Sequence, residues 1–322
     1  MADNILVVKD VCKYFDVPAG TLKAVDHVNF SVERGTTLGL VGESGCGKTT
    51  IGRLIVGLQK PTSGSILFEE KDVAKMKPRE LHELHNNMQL IFQDPYSSLN
   101  PRLSVSRTIA EPLVIRKHKY TKTEIHERVK NLMETVGLSQ RYYNSYPHEL
   151  DGGRGQRVGI ARALALNPKF IVCDEPVSSL DVSIQAQVLN LLKDLQDELK
   201  LTYLFITHDL SVVKYFSDNI AVMYLGKLIE TAPTKELFTN TLNPYSQALL
   251  SAIPIPDAHK KMQRVKLLGE LSSPIDPPPR CRFANRCLYV TEQCTQKEPS
   301  LIEYSENHFS ACFHTNHLKR TK

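Results

Sequence analysis

Gly42-Glu43-Ser44-Gly45-Cys46-Gly47-Lys48-Thr49 is the stretch on which the reading of this chain turns. It fits the phosphate-binding pattern G-x-x-x-x-G-K-[ST] at every fixed position. The apolar run Thr37 to Val41 just before it predicts a strand. Ile51, Leu54, Ile55 and Leu58 follow at helical spacing, so a helix is predicted to open at Lys48–Thr49. That order of strand, glycine loop and helix suits a polyphosphate. Glycines let backbone N–H groups approach the oxygens, and the helix N-terminus adds partial positive charge. Lys48 is expected to reach the β- and γ-phosphates and the Thr49 hydroxyl to bind Mg²⁺, with Thr50 completing the nucleotide-binding run.

The rest of the 322 residues sets limits on function. Hydrophobic residues make up 41 % and charged residues 23 %, as in an ordinary soluble globular protein. No apolar run approaches the roughly 20 residues that span a bilayer. Met1 to Asp10 lacks a signal-peptide core, so a cytoplasmic protein, or one held at a membrane by a partner, is expected. The net charge of +5 is mild and its basic residues are interspersed with acids, which gives no indication of nucleic acid. Cys12, Cys46 and Cys173 are scattered, whereas Cys281, Cys287, Cys294 and Cys312 crowd into the tail. In a reducing cytosol such crowding points to metal or cluster ligation rather than disulfides.

Two further apolar runs end in polar residues suited to nucleotide chemistry. Phe170-Ile171-Val172-Cys173 leads into Asp174 and Glu175. Asp174 is expected to support Mg²⁺, and Glu175 to orient or activate the attacking water. Tyr203-Leu204-Phe205-Ile206 leads into Thr207-His208-Asp209, which places His208 near the γ-phosphate. A helix over 184–199 joins the two runs into a right-handed β–α–β unit. The stretch between Lys48 and Asp174 is too long for one crossover and implies an inserted subdomain. Helical periodicity over 124–136 falls inside it. So does Leu150-Asp151-Gly152-Gly153-Arg154, a second glycine turn opening a helix.

With these motifs in place the chain resembles the ATP-binding subunit of an ABC transporter over roughly residues 5–245. Gly42–Thr49 matches the Walker A loop and Phe170–Glu175 matches Walker B with its adjacent glutamate. Gln93, after Leu90-Ile91-Phe92, matches the Q-loop glutamine, which implies a role in catalysis and at Mg²⁺. Ser178-Ser179-Leu180-Asp181 matches the D-loop, which makes Asp181 a nucleotide-site residue, and His208 matches the switch histidine. Phe15 lies where the family stacks an aromatic on adenine, with Tyr14 the neighbouring alternative. The implied fold is α/β: a P-loop ABC-type ATPase with a RecA-like core and antiparallel β and helical subdomains, plus a small Cys-rich C-terminal domain. The expected boundaries are 1–252 for the ATPase, with its helical subdomain at about 95–165. A Pro-rich linker follows over 253–280, then the Cys-rich domain over 281–322.

The family sandwiches two ATP molecules between two subunits, each between one Walker A loop and the other's Leu-Ser-Gly-Gly-Gln turn. Here Leu150, Asp151, Gly152, Gly153 and Arg154 occupy that turn. A carboxylate at 151 replaces a hydroxyl donor. Two like unit charges at ~4 Å repel by about 4 kcal/mol at an effective dielectric near 20. Arg154 is placed to neutralise Asp151 or to bind phosphate itself. The expectation is a heterodimer with a second ATPase subunit, one ATP site competent and one impaired.

The tail spacing C-x5-C-x6-C-x17-C fits neither the tight pairs of zinc sites nor the ferredoxin spacings. By itself it indicates four thiolates and leaves the ligand open. Gln93-Asp94-Pro95-Tyr96-Ser97-Ser98-Leu99-Asn100-Pro101-Arg102 and the tail from Leu268-Gly269-Glu270 to Arg286-Cys287 resemble the oligopeptide and dipeptide importer ATPases, nearest their F-type subunit. That resemblance implies a 4Fe–4S cluster on Cys281, Cys287, Cys294 and Cys312, with Zn²⁺ as the alternative. Arg280, Arg282 and Arg286 would face its negative charge. It also implies two transmembrane permease subunits and an extracytoplasmic substrate-binding protein, with this chain peripheral at the cytoplasmic face of the membrane. Peptide is the expected cargo; nickel or another small solute is the alternative.

Overall fold

The computed structural model describes residues 3–116, 119–253, 265, 267, 269 and 272–315. They divide into two compact units, Met1–Lys75 with Phe205–Lys322, and Met76–Leu204.

The first unit opens with two long strands, β1 (Asn4–Val17) and β2 (Gly20–Glu33), paired antiparallel. Then come β3 (Thr37–Val41), α1 (Lys48–Ile55), β4 (Ser63–Phe68) and the short β5 (Lys71–Asp72). The antiparallel sheet runs β2-β1-β4-β5. Ile5, Leu6, Val8 and Val11 from β1 and Val25, Val28 and Val32 from β2 are buried. In contrast, every residue of β3 is buried, as expected of a strand covered on both faces.

The second unit holds α2 (Pro78–Asn87), β6 (Met88–Ile91), α3 (Pro95–Ser98), α4 (Val105–Ile115), α5 (Lys122–Thr135), α6 (Gly152–Leu164), β7 (Phe170–Asp174) and α7 (Val182–Leu199). Strands β6 and β7 pair in parallel. Buried Ile109 and Leu113 of α4, Val129, Leu132 and Met133 of α5, and Val158, Ile160 and Ala161 of α6 give this unit its own core. Thr121 caps α5 by accepting from the Glu124 N–H at 3.2 Å while Glu124 accepts from the Thr121 N–H at 2.7 Å, a capping box. The division between the units falls inside β8 (Thr202–Thr207), which is buried throughout.

The chain then returns to the first unit through α8 (Leu210–Phe216), β9 (Asn219–Tyr224), β10 (Lys227–Pro233), α9 (Thr234–Thr239) and α10 (Pro244–Ser251). Strand β9 pairs in parallel with β3 and antiparallel with β10. The tail adds α11 (Glu292–Gln296), β11 (Ile302–Ser305) and β12 (His308–Ser310), and β12 pairs with β10. Of the Pro-rich segment, 254–264, 266, 268, 270 and 271 lie outside the described residues. Pro274 to Asp276 run beside β2: the Lys23 N–H donates to the Pro274 carbonyl at 3.1 Å, and the Asp276 N–H donates to Thr21 at 3.0 Å.

Two groups of contacts fasten the tail into this unit. Phe283 and Cys287 are buried with Val41, Val222, Tyr224 and Tyr245, and the Phe283 ring meets those of Tyr224 and Tyr245 edge-on, both at 5.4 Å. The second group is ionic. Asp26, 4 % exposed, accepts from Arg282 and from the Tyr14 hydroxyl, with Lys227 at 3.5 Å. Burial alone would raise the Asp26 carboxyl. The Tyr14 hydrogen bond and the cations Lys227, Arg282 and Lys23 outweigh it and hold the group below the ordinary carboxylate value.

This pairing has a pH signature. A carboxyl that titrates lower folded than unfolded contributes fully above about pH 4, and the contribution is lost as pH falls further. Asp26→Asn leaves Arg282 buried without its main counter-charge and should lower unfolding free energy by about 3 kcal/mol at neutral pH. Denaturant unfolding at pH 7 and pH 3 should show a gap between wild type and variant that shrinks at the lower pH. An equal gap at both would contradict the ionic account.

Candidate nucleotide site

The phosphate loop sits where the sequence placed it, between β3 and α1. Gly42 and Gly47 have φ of +154° and +107°. A Cβ at Gly42 would lie 2.1 Å from the Met223 carbonyl oxygen, and one at Gly47 would lie 2.1 Å from that of Ala24. No side chain fits either place. Gly45, also at positive φ, faces open space, and Ser44 beside it is exposed. Lys48 is only 5 % exposed; its Nζ donates to the carbonyls of Gly42 at 2.7 Å and Glu43 at 3.0 Å. A buried ammonium held by neutral carbonyls, beside a cradle that a Cβ would fill, fits a polyphosphate ligand. Thr49 and Thr50 open the helix and are half-buried. Cys46 is buried, which pushes its thiol up and keeps it neutral.

Two contacts from later in the chain brace this loop. The Tyr245 hydroxyl accepts from the Glu43 N–H at 2.9 Å, and Arg286 Nη1 donates to Glu43 Oε2 at 2.8 Å. Neither was foreseen, because the partners lie more than 200 positions away and no local spacing signals them. The aromatic candidates separate: the Tyr14 hydroxyl is committed to Asp26, while Phe15 is half-buried with Lys13 Nζ 4.9 Å from its ring centroid. His208 follows β8 and is exposed.

In the second unit, Asp174 ends β7 and is 8 % exposed. Glu175 follows with φ of +47°, a left-handed conformation uncommon for a non-glycine residue. Gln93 Nε2 donates to Glu175 Oε2 at 2.9 Å, so two residues assigned to catalysis are brought together. Asp181 caps α7, accepting from the Ile184 N–H at 3.0 Å and the Ser183 hydroxyl at 2.6 Å; these bonds hold it below the ordinary carboxylate value. Asp151 caps α6. One of its oxygens accepts from the Arg154 N–H at 2.8 Å, and the other pairs with Arg154 Nη1 at 2.6 Å. The carboxylate thus serves as a helix cap with an internal counter-charge. Gly152 and Gly153 form the first turn, where a Cβ on Gly153 would lie 2.5 Å from Ile184.

The tail cysteines correct the iron–sulfur expectation. Cys281, Cys287, Cys294 and Cys312 line one small cavity. Among the described residues, however, the one grouping of three or more ligand-type side chains within mutual reach is Cys12, Asp26 and His27. Asp26 there is already met by Arg282 and Lys227. The tail sulfurs have hydrogen-bond partners instead: Cys294 lies 3.6 Å from His314 Nε2, and Cys287 and Cys312 accept from the N–H groups of Tyr289 and His314. Burial pushes the Cys281 thiol up to about 12 and that of Cys312 to about 11. Arg282 and Arg286, expected to face a cluster, pair with Asp26 and Glu43. Neither 4Fe–4S nor Zn²⁺ finds support in this arrangement.

Strand, glycine loop and helix, with carboxylates closing a second buried strand, define a P-loop ATPase of the ATP-binding-cassette class. Residues 25–178 match the ABC transporter family, and residues 229–294 match the C-terminal region of oligopeptide/dipeptide transporters. The oligopeptide transport ATP-binding protein AppF of Bacillus subtilis is 48 % identical over 320 residues, covering 96 % of this chain and 97 % of that protein. OppF of Escherichia coli, described likewise, is 49 % identical over 313 residues, with coverages of 97 % and 93 %. Both relatives are described as ATP-binding proteins and neither as an iron–sulfur protein. A dimeric ATP-binding cassette solved in a post-hydrolysis state with ADP and Pi superposes at a TM-score of 0.66 with 28 % identity, over 71 % of this chain and 98 % of that one. This chain belongs to the oligopeptide/dipeptide ABC transporter family as one of its ATP-binding proteins, and it is an ATPase.

Proposed function

We propose that this chain hydrolyses ATP to energise import of oligopeptides through an ABC transporter. The observation that carries the reading is the buried Lys48 in its glycine cradle, together with the Gln93–Glu175 pair at the end of a buried strand. The names of the relatives supply the cargo class. In this reading Gly42 to Thr50 bind the phosphates and Phe15 stacks on adenine. Thr49, Gln93 and Asp174 would hold Mg²⁺, which would supply charge neutralisation at the phosphates when bound. Glu175 orients the attacking water and accepts its proton, with His208 contacting the γ-phosphate. Among the described residues no helix is long and apolar enough to cross a membrane. In this reading passage of peptide falls to permease subunits, with this chain docked peripherally at their cytoplasmic face and a binding protein delivering cargo. Glu175→Gln should retain ATP binding while turnover of the assembled transporter falls at least a hundredfold. Unchanged turnover in that variant would remove Glu175 from the role.

We further propose a heterodimer with a second ATPase subunit. The turn at Asp151 supports this in a more specific way than charge repulsion does. Its carboxylate is already compensated by Arg154, and a carboxylate has no hydrogen to donate to a γ-phosphate. The impaired site is then the one completed by this turn. Asp151→Ser with Arg154→Gln should raise ATPase activity of the isolated chain. High activity of the wild-type chain with no partner present would contradict the asymmetric assembly.

A further inference from the structure

We infer that Arg286, in the C-terminal tail, is a positioning residue for the phosphate loop: it neutralises and holds Glu43, so that the loop presents net positive charge to a nucleotide. The inference rests on the reading that this loop binds ATP.

Charge is the first consideration. Within the loop Lys48 carries the one cation, and Glu43, five residues before it, carries an anion. Left alone the two cancel, which is a poor arrangement for attracting a polyphosphate. Arg286 restores the balance through the 2.8 Å contact between its Nη1 and Glu43 Oε2. The Arg286 side chain is 12 % exposed and that of Glu43 is 28 % exposed, so solvent screens this pair less than a surface pair. The hydrogen bond to Glu43 is the largest influence on the guanidinium and pushes its pKa upward.

Geometry adds a second reason. The carbonyls that hold Lys48 belong to Gly42 and Glu43. Glu43 is gripped from outside the loop at two points, its N–H by Tyr245 and its carboxylate by Arg286. Further along the loop, the Gly226 N–H donates to the Cys46 carbonyl at 2.9 Å. Arg286 is itself fixed by the tail's own anchors: Phe283 lies against Tyr224 and Tyr245, and Arg282 binds Asp26. The tail thus sets where the first arm of the loop stands before any ligand arrives. Such pre-organisation improves affinity by removing an ordering cost from the binding step.

The test is equilibrium binding of a fluorescent ATP analogue with Mg²⁺ to the full chain at low and high salt. Arg286→Gln should weaken binding about tenfold, a change of ~1.4 kcal/mol. The loss should be larger at low salt, because it comes from an uncompensated charge. Arg286→Lys keeps the charge and should bind near the wild-type level. Glu43→Gln combined with Arg286→Gln removes the anion along with its counter-ion and should recover most of the affinity. A tail that had merely come loose would not be repaired by that second change. Wild-type affinity in Arg286→Gln, or a double variant as weak as Arg286→Gln, would overturn the inference and leave the ATP site standing. Failure of the wild-type chain to bind the analogue would instead remove the underlying reading.

Discussion

A loop that offers its own backbone N–H groups to a polyanion has little room for side chains, and here Gly42 and Gly47 mark that limit. At each, a Cβ would press to 2.1 Å against a carbonyl oxygen. Those oxygens belong to Ala24 in β2 and Met223 in β9, so the loop is shaped by strands from distant parts of the chain. Lys48 closes the loop from within by bonding to its first two carbonyls. That arrangement is the feature that fits a nucleoside triphosphate.

The tail takes part in the same structure. It joins the first unit through an aromatic cluster, a strand pairing with β10 and buried ion pairs. A buried arginine costs a great deal unless it is paired, and removing one partner of a buried pair is correspondingly destabilising. Arg282 meets that requirement with Asp26, while the similarly sheltered Arg286 pairs with Glu43, so the stability of the tail and the electrostatics of the loop rest on neighbouring residues of one sequence. Of the cysteines beside them, Cys287 and Cys294 are buried and Cys281 and Cys312 half-buried.

Much of the fold was legible because the relevant signals are local. The strand, glycine loop and helix around Lys48, the buried strand ending in Asp174 and Glu175, and the helix reaching Leu199 all show in short-range pattern, since burial on both faces gives apolar runs and amphipathic helices give a 3.6-residue period. Asp151 was recognised as a departure, but its use as a helix cap paired to Arg154 needed three dimensions. The partners of Arg282 and Arg286 were illegible for a plainer reason. Each lies some 250 positions away, at Asp26 in β2 and at a variable position of the phosphate loop, and arginines next to cysteines invite a local explanation that the contacts do not bear out. The same crowding of four cysteines made a cluster attractive, although spacing says nothing about where sulfurs end up once strands and turns intervene.

The central claim is that this chain couples ATP hydrolysis to peptide movement. The most direct measurement is ATP turnover by the complete transporter in sealed vesicles, with its binding protein supplied empty or loaded with an oligopeptide. The account predicts several-fold faster turnover with the loaded binding protein, together with ATP-dependent accumulation of the peptide. Turnover indifferent to peptide, or peptide uptake that proceeds without ATP, would contradict it.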